Sequence, residues 1–244
     1  MFQNVASFYS RIFYMKGIIF DFNGTLYWDS KLHYDAWREF SAILRNGKPF
    51  TDIEMRDKMF GHTNEDIIEY AIGRKPSKEM VEKYAQEKES LYRKRCLLEP
   101  ENFKLAPGAI ELLDYLVENN IPHTIATMSE WDNVEFYIKN FHLEKWFDLD
   151  KIVYSDGTIP GKPAPDIFLI AADKIGLAPQ DCIVVEDALA GINSAKSAGI
   201  GKILAIASLE PIEFYQNIDG LEGIIKDFRE FDRSLLEVPT LNLR

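Results

Sequence analysis

Cysteine is scarce in this sequence, which has only Cys96 and Cys182 among its 244 residues. The two lie far apart and lack metal-ligand spacing, so the sequence argues against a disulfide scaffold and against a thiolate metal site. We expect them to be reduced thiols in the core of a cytoplasmic protein. No apolar run approaches the length of a membrane span. Residues 1–14 lack the basic start of a secretory signal, which argues against secretion.

Basic residues are also in deficit. The chain has 28 Lys and Arg against 39 Asp and Glu, a formal net charge of −11 at pH 7. The basic residues form neither a run nor a helix face, so a nucleic-acid or anionic-membrane partner is disfavoured. We expect a small molecule as the partner, and a chain that is a monomer or a weak dimer.

Strand-like and helical patterns alternate after residue 103, and 46% of the chain is apolar, which is enough for a sizeable core. Such alternation is typical of an α/β fold with a parallel sheet, right-handed crossovers and helices on both faces. Residues 29–100 instead show four helical segments and no strand-like run. The sequence therefore predicts an extension at 1–14 that the fold does not need, a core domain at 15–28 and 101–244, and an all-helical cap domain at 29–100.

The prediction of a functional site starts from the stretch Gly17–Leu26. An apolar, β-branched run ends at Asp21, and Asn23-Gly24 then favours a tight turn. Ligands of parallel α/β sheets bind outside the carboxyl ends of the strands, which is where this pattern puts Asp21. The alternative is a strand-ending turn in which Asp21 only caps the backbone.

Further polar residues follow later predicted strands or lie in the loops after them, and together they suit phosphoryl transfer. Asp21 would be the carboxylate nucleophile and Lys162 would neutralise phosphate charge. Thr127, which ends the strand that begins at His123, would donate a hydrogen bond to a phosphate oxygen. Asp21 with the pair Glu186-Asp187 makes an all-oxygen site that suits Mg²⁺ and would offset anionic repulsion.

Each of these residues also has a plainer interpretation. Thr127 would serve as a helix N-cap, Lys162 as a surface lysine before a proline, and the pair Glu186-Asp187 as a cap for the helix that follows. Their order on alternating strands favours a shared site over separate structural roles.

Four segments resemble the four motifs of the haloacid dehalogenase (HAD) superfamily: 21–26, 125–127, 161–168 and 184–192. The helical insert lies where the β-phosphoglucomutase-like subgroup carries its cap. The resemblance implies a Rossmann-like core, dependence on Mg²⁺ and an aspartyl-phosphate at Asp21. It also implies metal ligation by Asp21, by the backbone carbonyl of Asn23 and by Asp187, with assistance from Glu186. The implied phosphate-binding set is Asp21, Gly24, Thr127, Met128 and Lys162.

Asn23 departs from the family pattern, which has a second aspartate there to protonate the leaving oxygen and to activate water. An amide cannot exchange a proton in this way, and such help is worth about 10²–10⁴-fold. We expect slow turnover of alkyl phosphates and a smaller loss with acyl or aryl phosphates. His33, at the start of the first cap helix, is a candidate substitute proton donor. Its alternative is a partly buried hinge histidine.

The cap resemblance points to a substrate-facing loop formed by Phe60, Gly61, His62 and Asn64. The β-phosphoglucomutases place a lysine and an arginine at the positions of Phe60 and Asn64 to hold a second phosphate, which argues against a phosphomutase here. The sequence therefore predicts a Mg²⁺-dependent phosphatase of a small phosphorylated metabolite. The alternatives are a β-phosphoglucomutase-like phosphomutase and a catalytically impaired phosphate-binding or regulatory protein. A dehalogenase is disfavoured, because that reaction has no obvious use for a metal-binding carboxylate pair.

Overall fold

The computed structural model describes residues 16–59 and 63–236. The predicted extension at 1–14 and the loop residues Phe60, Gly61 and His62 lie outside the described residues. Two compact units divide the chain: one runs through Tyr27 and resumes at Leu105, and the other is Trp28–Lys104. We call them the sheet unit and the helical unit.

The sheet unit contains six strands within the described residues, all paired in parallel. They are β1 (Gly17–Phe20), β2 (His123–Glu130), β3 (Val153–Ser155), β4 (Cys182–Glu186), β5 (Lys202–Ile206) and β6 (Gly223–Ile225). Their order is β3-β2-β1-β4-β5-β6, so the chain leaves β1 toward one side of the sheet and later returns to its other side. This Rossmann-like α/β fold confirms the predicted fold class. Ligands of such sheets bind at the carboxyl end of the point where the strand order reverses.

Helices occupy the helical unit and connect the strands of the sheet unit. Those of the helical unit are α1 (Ser30–Leu44), α2 (Asp52–Lys58), α3 (Asn64–Ile72) and α4 (Lys78–Leu98). Those of the sheet unit are α5 (Ala109–Glu118), α6 (Trp131–Phe141), α7 (Asp166–Lys174), α8 (Leu189–Ser197) and the single turn α9 (Ile212–Tyr215). Across 16–59 and 63–236, no helix combines the length and the apolar character that crossing a bilayer requires.

The helical unit has its own apolar core, in which Trp37, Phe40, Phe50, Met55 and Ile68 are buried. Thr51, Thr63 and Ser77 are the N-caps of α2, α3 and α4, because the side chain of each accepts a backbone N–H in the first turn. In α2 and α3 an acidic side chain also bonds back to the backbone N–H of the N-cap, which completes a capping box. Local sequence thus accounts for where these helices begin.

The core of the sheet unit lies between the strands and the connecting helices. Ile18, Ile19 and Phe20 of β1 are fully buried, as expected for a central strand that is covered on both faces. Ile167 and Phe168 of α7 pack in the same core cluster as Ile19. The nucleophile candidate therefore follows directly from a fully buried strand, which limits how far it can move.

One strand boundary differs from the sequence prediction. The strand that was expected to end at Thr127 continues to Glu130, and its register against β3 shifts between Ala126 and Glu130. Within this irregular stretch, Ser129 N donates to Thr127 Oγ1 at 3.1 Å. The prediction of a strand end at Thr127 was wrong because polar residues continued the strand through this irregularity.

Candidate functional site

The pairing of β1 with β4 brings three carboxyl groups together. Phe20 lies opposite Val185 in the register, and Asp21 N donates to Val185 O at 3.1 Å. Asp21 therefore lies beside Glu186 and Asp187, where β4 ends. All three residues are buried, and one carboxylate oxygen from each lies within 4.8 Å of the other two.

Lys162 supplies the cation of this cluster from the loop before α7. Its Nζ donates to Asp21 Oδ1 at 2.6 Å and to Glu186 Oε1 at 2.7 Å, and it lies 3.4 Å from Ala126 O. The Lys162 side chain is only 8% exposed. The structure thus brings together Asp21, Lys162, Glu186 and Asp187, which the sequence assigned to one site from three separated positions.

The electrostatics of the cluster follow from burial. Burial, opposed by Lys162 and reinforced by Glu186, raises the pKa of Asp21 to about 7. Burial, reinforced by Glu186 and Asp21, raises the pKa of Asp187 to about 8. Burial also opposes the charge on Lys162, but the carboxylates of Asp21 and Glu186 outweigh it and raise the pKa of the ammonium. The cluster thus contains three carboxyl groups and one ammonium. The excess of negative charge favours binding of a further cation.

The donor set fits Mg²⁺. Carboxylate oxygens are hard ligands of the kind that this ion prefers, and Asp21, Glu186 and Asp187 offer one each from buried positions. Thr25 Oγ1 donates to Asp187 Oδ1 at 3.2 Å, which orients that carboxylate from outside the cluster. These residues would hold the ion, which would supply positive charge next to a bound phosphate.

Gly24 allows the loop after β1 to approach the loop after β4. Its φ is +81°, and a Cβ at this position would lie 2.1 Å from Asp187 Oδ2. Only glycine is compatible with this backbone and this contact. Gly24 N donates to Tyr27 O at 2.7 Å, so its predicted part in phosphate binding stays a prediction, as does that of the half-buried Met128.

The Asn23 side chain is held by three hydroxyl groups of the sheet unit. Its Oδ1 accepts from Ser129 Oγ at 2.7 Å and from Thr127 Oγ1 at 3.4 Å. Its Nδ2 donates to Tyr137 OH at 2.8 Å. The hydroxyl of Thr127, predicted to bind phosphate, here bonds to Asn23. Sequence reasoning missed Ser129 and Tyr137, and the only signal was a second hydroxyl residue two positions after Thr127.

His33 is half-buried and contacts two buried charged residues of the helical unit, Asp29 and Lys88. Its Nε2 lies 3.3 Å from Asp29 Oδ2, and its Nδ1 lies 3.2 Å from Lys88 Nζ. Its ring stacks on that of Tyr92, with centroids 3.8 Å apart. Because an ammonium only donates, Nδ1 accepts from Lys88 and the hydrogen on Nε2 faces Asp29. The role of His33 as proton donor stays a prediction, and Asp29 and Lys88 were not anticipated.

The predicted substrate loop is described only in part, since Phe60, Gly61 and His62 lie outside the described residues. Asn64 is the first residue of α3 and is half-buried. Its neighbour Thr63 caps that helix. The proposed substrate contacts of all four residues therefore stay predictions.

Gly191 in α8 offers a test of how tightly the cluster is packed. A Cβ there would lie 1.6 Å from Glu186 Oε1, while Glu186 is tied to Lys162 and, through Oε2, to Ala188 N at 2.7 Å. Gly to Ala within a helix normally stabilises by about 1 kcal/mol. Gly191→Ala should instead lower the free energy of unfolding in urea by about 1–3 kcal/mol, because Glu186 must leave its partners.

Gly161→Ala is the matched control for that change, since the nearest atom to its added methyl is Met128 Cε at 3.9 Å. The control should unfold close to the wild type. A Gly191→Ala protein as stable as the wild type would contradict the packing described for Glu186.

Comparison with known proteins supplies the family. A haloacid dehalogenase-like hydrolase model matches residues 15–199. A phosphorylated carbohydrates phosphatase of Thermotoga maritima is 27% identical over 79% of this chain and 85% of that protein. The beta-phosphoglucomutase of Bacillus subtilis is 32% identical over 76% of this chain and 81% of that protein. The crystal structure of a HAD hydrolase, family IA, variant 3, from Entamoeba histolytica is 43% identical, covers 89% of this chain and 96% of its own, and has a TM-score of 0.83. The resemblance seen in the motifs is thereby confirmed, and the chain belongs to the haloacid dehalogenase-like hydrolase family.

Proposed function

We propose that this hydrolase is a Mg²⁺-dependent phosphatase that acts on a small phosphorylated metabolite through a covalent intermediate on Asp21. The observation that carries the proposal is the buried cluster in which Lys162 bridges Asp21 and Glu186 beside Asp187. The phosphatase and phosphomutase names of the relatives support it, because both activities transfer phosphoryl groups.

The chemistry assigned to the cluster has two displacements. A carboxylate oxygen of Asp21 attacks phosphorus, the bond from phosphorus to the leaving oxygen breaks, and that oxygen keeps the electron pair. Water then attacks the aspartyl-phosphate, which releases inorganic phosphate and restores the carboxylate. Lys162 holds Asp21 in place and offsets the phosphate charge in a site that excludes most water. Mg²⁺ bound by the three carboxylates would add charge neutralisation.

The source of the proton for the leaving oxygen differs between this chain and the family pattern, because residue 23 is an asparagine. Asn23 carries an amide, which cannot act as a general acid. Its side chain is hydrogen-bonded to Ser129 and Tyr137. We propose His33 as the substitute donor. Where no donor acts, the leaving group departs as an anion, and only substrates with acidic leaving groups react well.

A phosphomutase is the alternative within the same chemistry. The Bacillus subtilis relative carries that name, whereas the positions assigned to a second phosphate hold Phe60 and Asn64 instead of cations. A requirement for a bisphosphate activator would favour the mutase. A protein that binds phosphate but releases none would instead be a binding or regulatory protein.

Phosphate release by the purified protein tests the proposal. With Mg²⁺ present, the wild type should release phosphate from small phosphomonoesters, and a chelator should stop the release. Asp21→Asn should abolish it, because the amide is not a nucleophile. Asp219→Asn changes an exposed aspartate of the same unit and should leave the rate unchanged. Equal release by the Asp21→Asn protein would contradict the assignment of the nucleophile.

Asn23 predicts a dependence on the leaving group. Acyl and aryl phosphates should react faster than alkyl phosphates, and Asn23→Asp should raise the rate with alkyl phosphates by about 10²–10⁴-fold. Asn193→Asp, an exposed change on α8, controls for added charge. His33→Ala should slow alkyl substrates more than aryl ones if His33 is the donor. Equal wild-type rates with both classes, unaffected by His33→Ala, would contradict this account of the proton.

Metal binding should depend on pH. The pKa values of Asp21 and Asp187, raised to about 7 and about 8, mean that the folded protein holds more protons than the unfolded chain. Metal-free stability should therefore fall as the pH rises from about 4 through these values. Mg²⁺ competes with protons for the same carboxylates. The rise in the protein's Tm on addition of Mg²⁺ should therefore be larger at pH ~8.5 than at pH ~5.5.

Thermal unfolding with and without Mg²⁺ measures this dependence, and Asp187→Asn should remove most of the increase at high pH. An increase in Tm that is the same at both pH values would show that the ion does not bind to these carboxylates.

A further inference from the structure

The segment that follows β5 contacts the predicted metal site without belonging to any of its four motifs. We call residues 207–215 the brace. It begins where Ala207 N donates to Ile225 O at 2.8 Å, beyond the end of β5, and it ends at Tyr215 in α9. Tyr215 is fully buried and Ser208 is half-buried.

Two side chains of the brace hold main-chain carbonyls of the two site loops. Ser208 Oγ donates to the carbonyl oxygen of Gly24, in the loop after β1. Tyr215 OH donates to the carbonyl oxygen of Asp187, after β4, at 2.6 Å. Bonds to carbonyls fix the backbone path of each loop, whereas bonds to side chains would fix only one rotamer.

The two loops also contact each other directly. Thr25 Oγ1 donates to Asp187 Oδ1 at 3.2 Å, and no space exists for a side chain between Gly24 and the Asp187 carboxylate. The brace therefore fixes both sides of this contact from a third element. Groups that hold metal ligands from outside in this way typically change metal affinity by about 10–100-fold when they are removed.

We propose that Ser208 and Tyr215 are positioning residues that set the spacing between the Asn23-Gly24 backbone and the Asp187 carboxylate, and thereby the affinity of the site for Mg²⁺. The inference rests on the proposed function, because it assigns these residues to the metal site of that phosphatase. Neither residue touches the reacting atoms, so chemistry at saturating Mg²⁺ should change little.

Calorimetric titration of the full chain with Mg²⁺ tests the inference. Tyr215→Phe should raise the Kd for Mg²⁺ by about 10–100-fold, and Ser208→Ala should also raise it. Ser208→Thr keeps a hydroxyl and should recover part of the affinity. In phosphate-release assays both losses should appear as a higher Mg²⁺ requirement, with kcat restored at saturating Mg²⁺.

Matched controls separate the hydrogen bonds from general packing. Tyr115→Phe lies on α5, in the same unit but outside the site. Ser197→Ala removes a hydroxyl that also donates to a main-chain carbonyl, that of Asn193, at 2.8 Å. Both should bind Mg²⁺ as the wild type does, and metal-free Tm values should show that every variant folds.

Two outcomes would overturn the inference. In one, Tyr215→Phe and Ser208→Ala bind Mg²⁺ like the wild type, or their Tm falls by the same amount with and without the ion. The brace would then contribute only to the stability of the fold. In the other, the wild type binds no Mg²⁺, and the proposed function fails together with the inference. Normal binding by the wild type and by both variants removes the inference alone.

Discussion

The burial of three carboxyl groups beside a single ammonium is the constraint on which the rest of the site depends. One carboxylate oxygen each from Asp21, Glu186 and Asp187 lies within 4.8 Å of the other two, and the Lys162 ammonium pairs with Asp21 and Glu186. Removing one partner from a buried pair typically costs about 3–5 kcal/mol. The parallel pairing of β1 and β4 imposes this arrangement, because neighbouring strands end at the same edge of the sheet.

The close packing of the carboxyl groups restricts which residues can lie next to them. Gly24 and Gly191 are required because a Cβ at either position would overlap a carboxylate of the cluster. The excess of negative charge also makes the site complementary to a cation, and a cation is what a phosphate ester needs beside an anionic nucleophile. Strand pairing, glycine placement and charge thus favour one chemistry, phosphoryl transfer, in a chain that belongs to the haloacid dehalogenase-like hydrolase family.

Asp21, Lys162 and the pair Glu186-Asp187 could be identified from the sequence because each follows a recognisable strand or motif, and a parallel sheet gathers strand ends. The end of β2 was missed because the strand continues past Thr127 through a shift of register. Tyr137 and Tyr215 were missed for another reason: each lies on a helix with ordinary apolar neighbours, and each acts through a contact distant in sequence. The substrate loop at 60–64 was predicted by resemblance alone, and its residues 60–62 lie outside the described residues.

The most direct test of the account is to identify the residue that carries phosphate during turnover. The Mg²⁺-loaded protein would be mixed with an acyl or aryl phosphate and quenched in acid within one turnover, and its peptides would be analysed by mass spectrometry. We expect one phosphoryl group on the peptide that contains Asp21, and none in the Asp21→Asn protein. Phosphate release without a phosphorylated Asp21, or with a phosphoryl group on another residue, would contradict it.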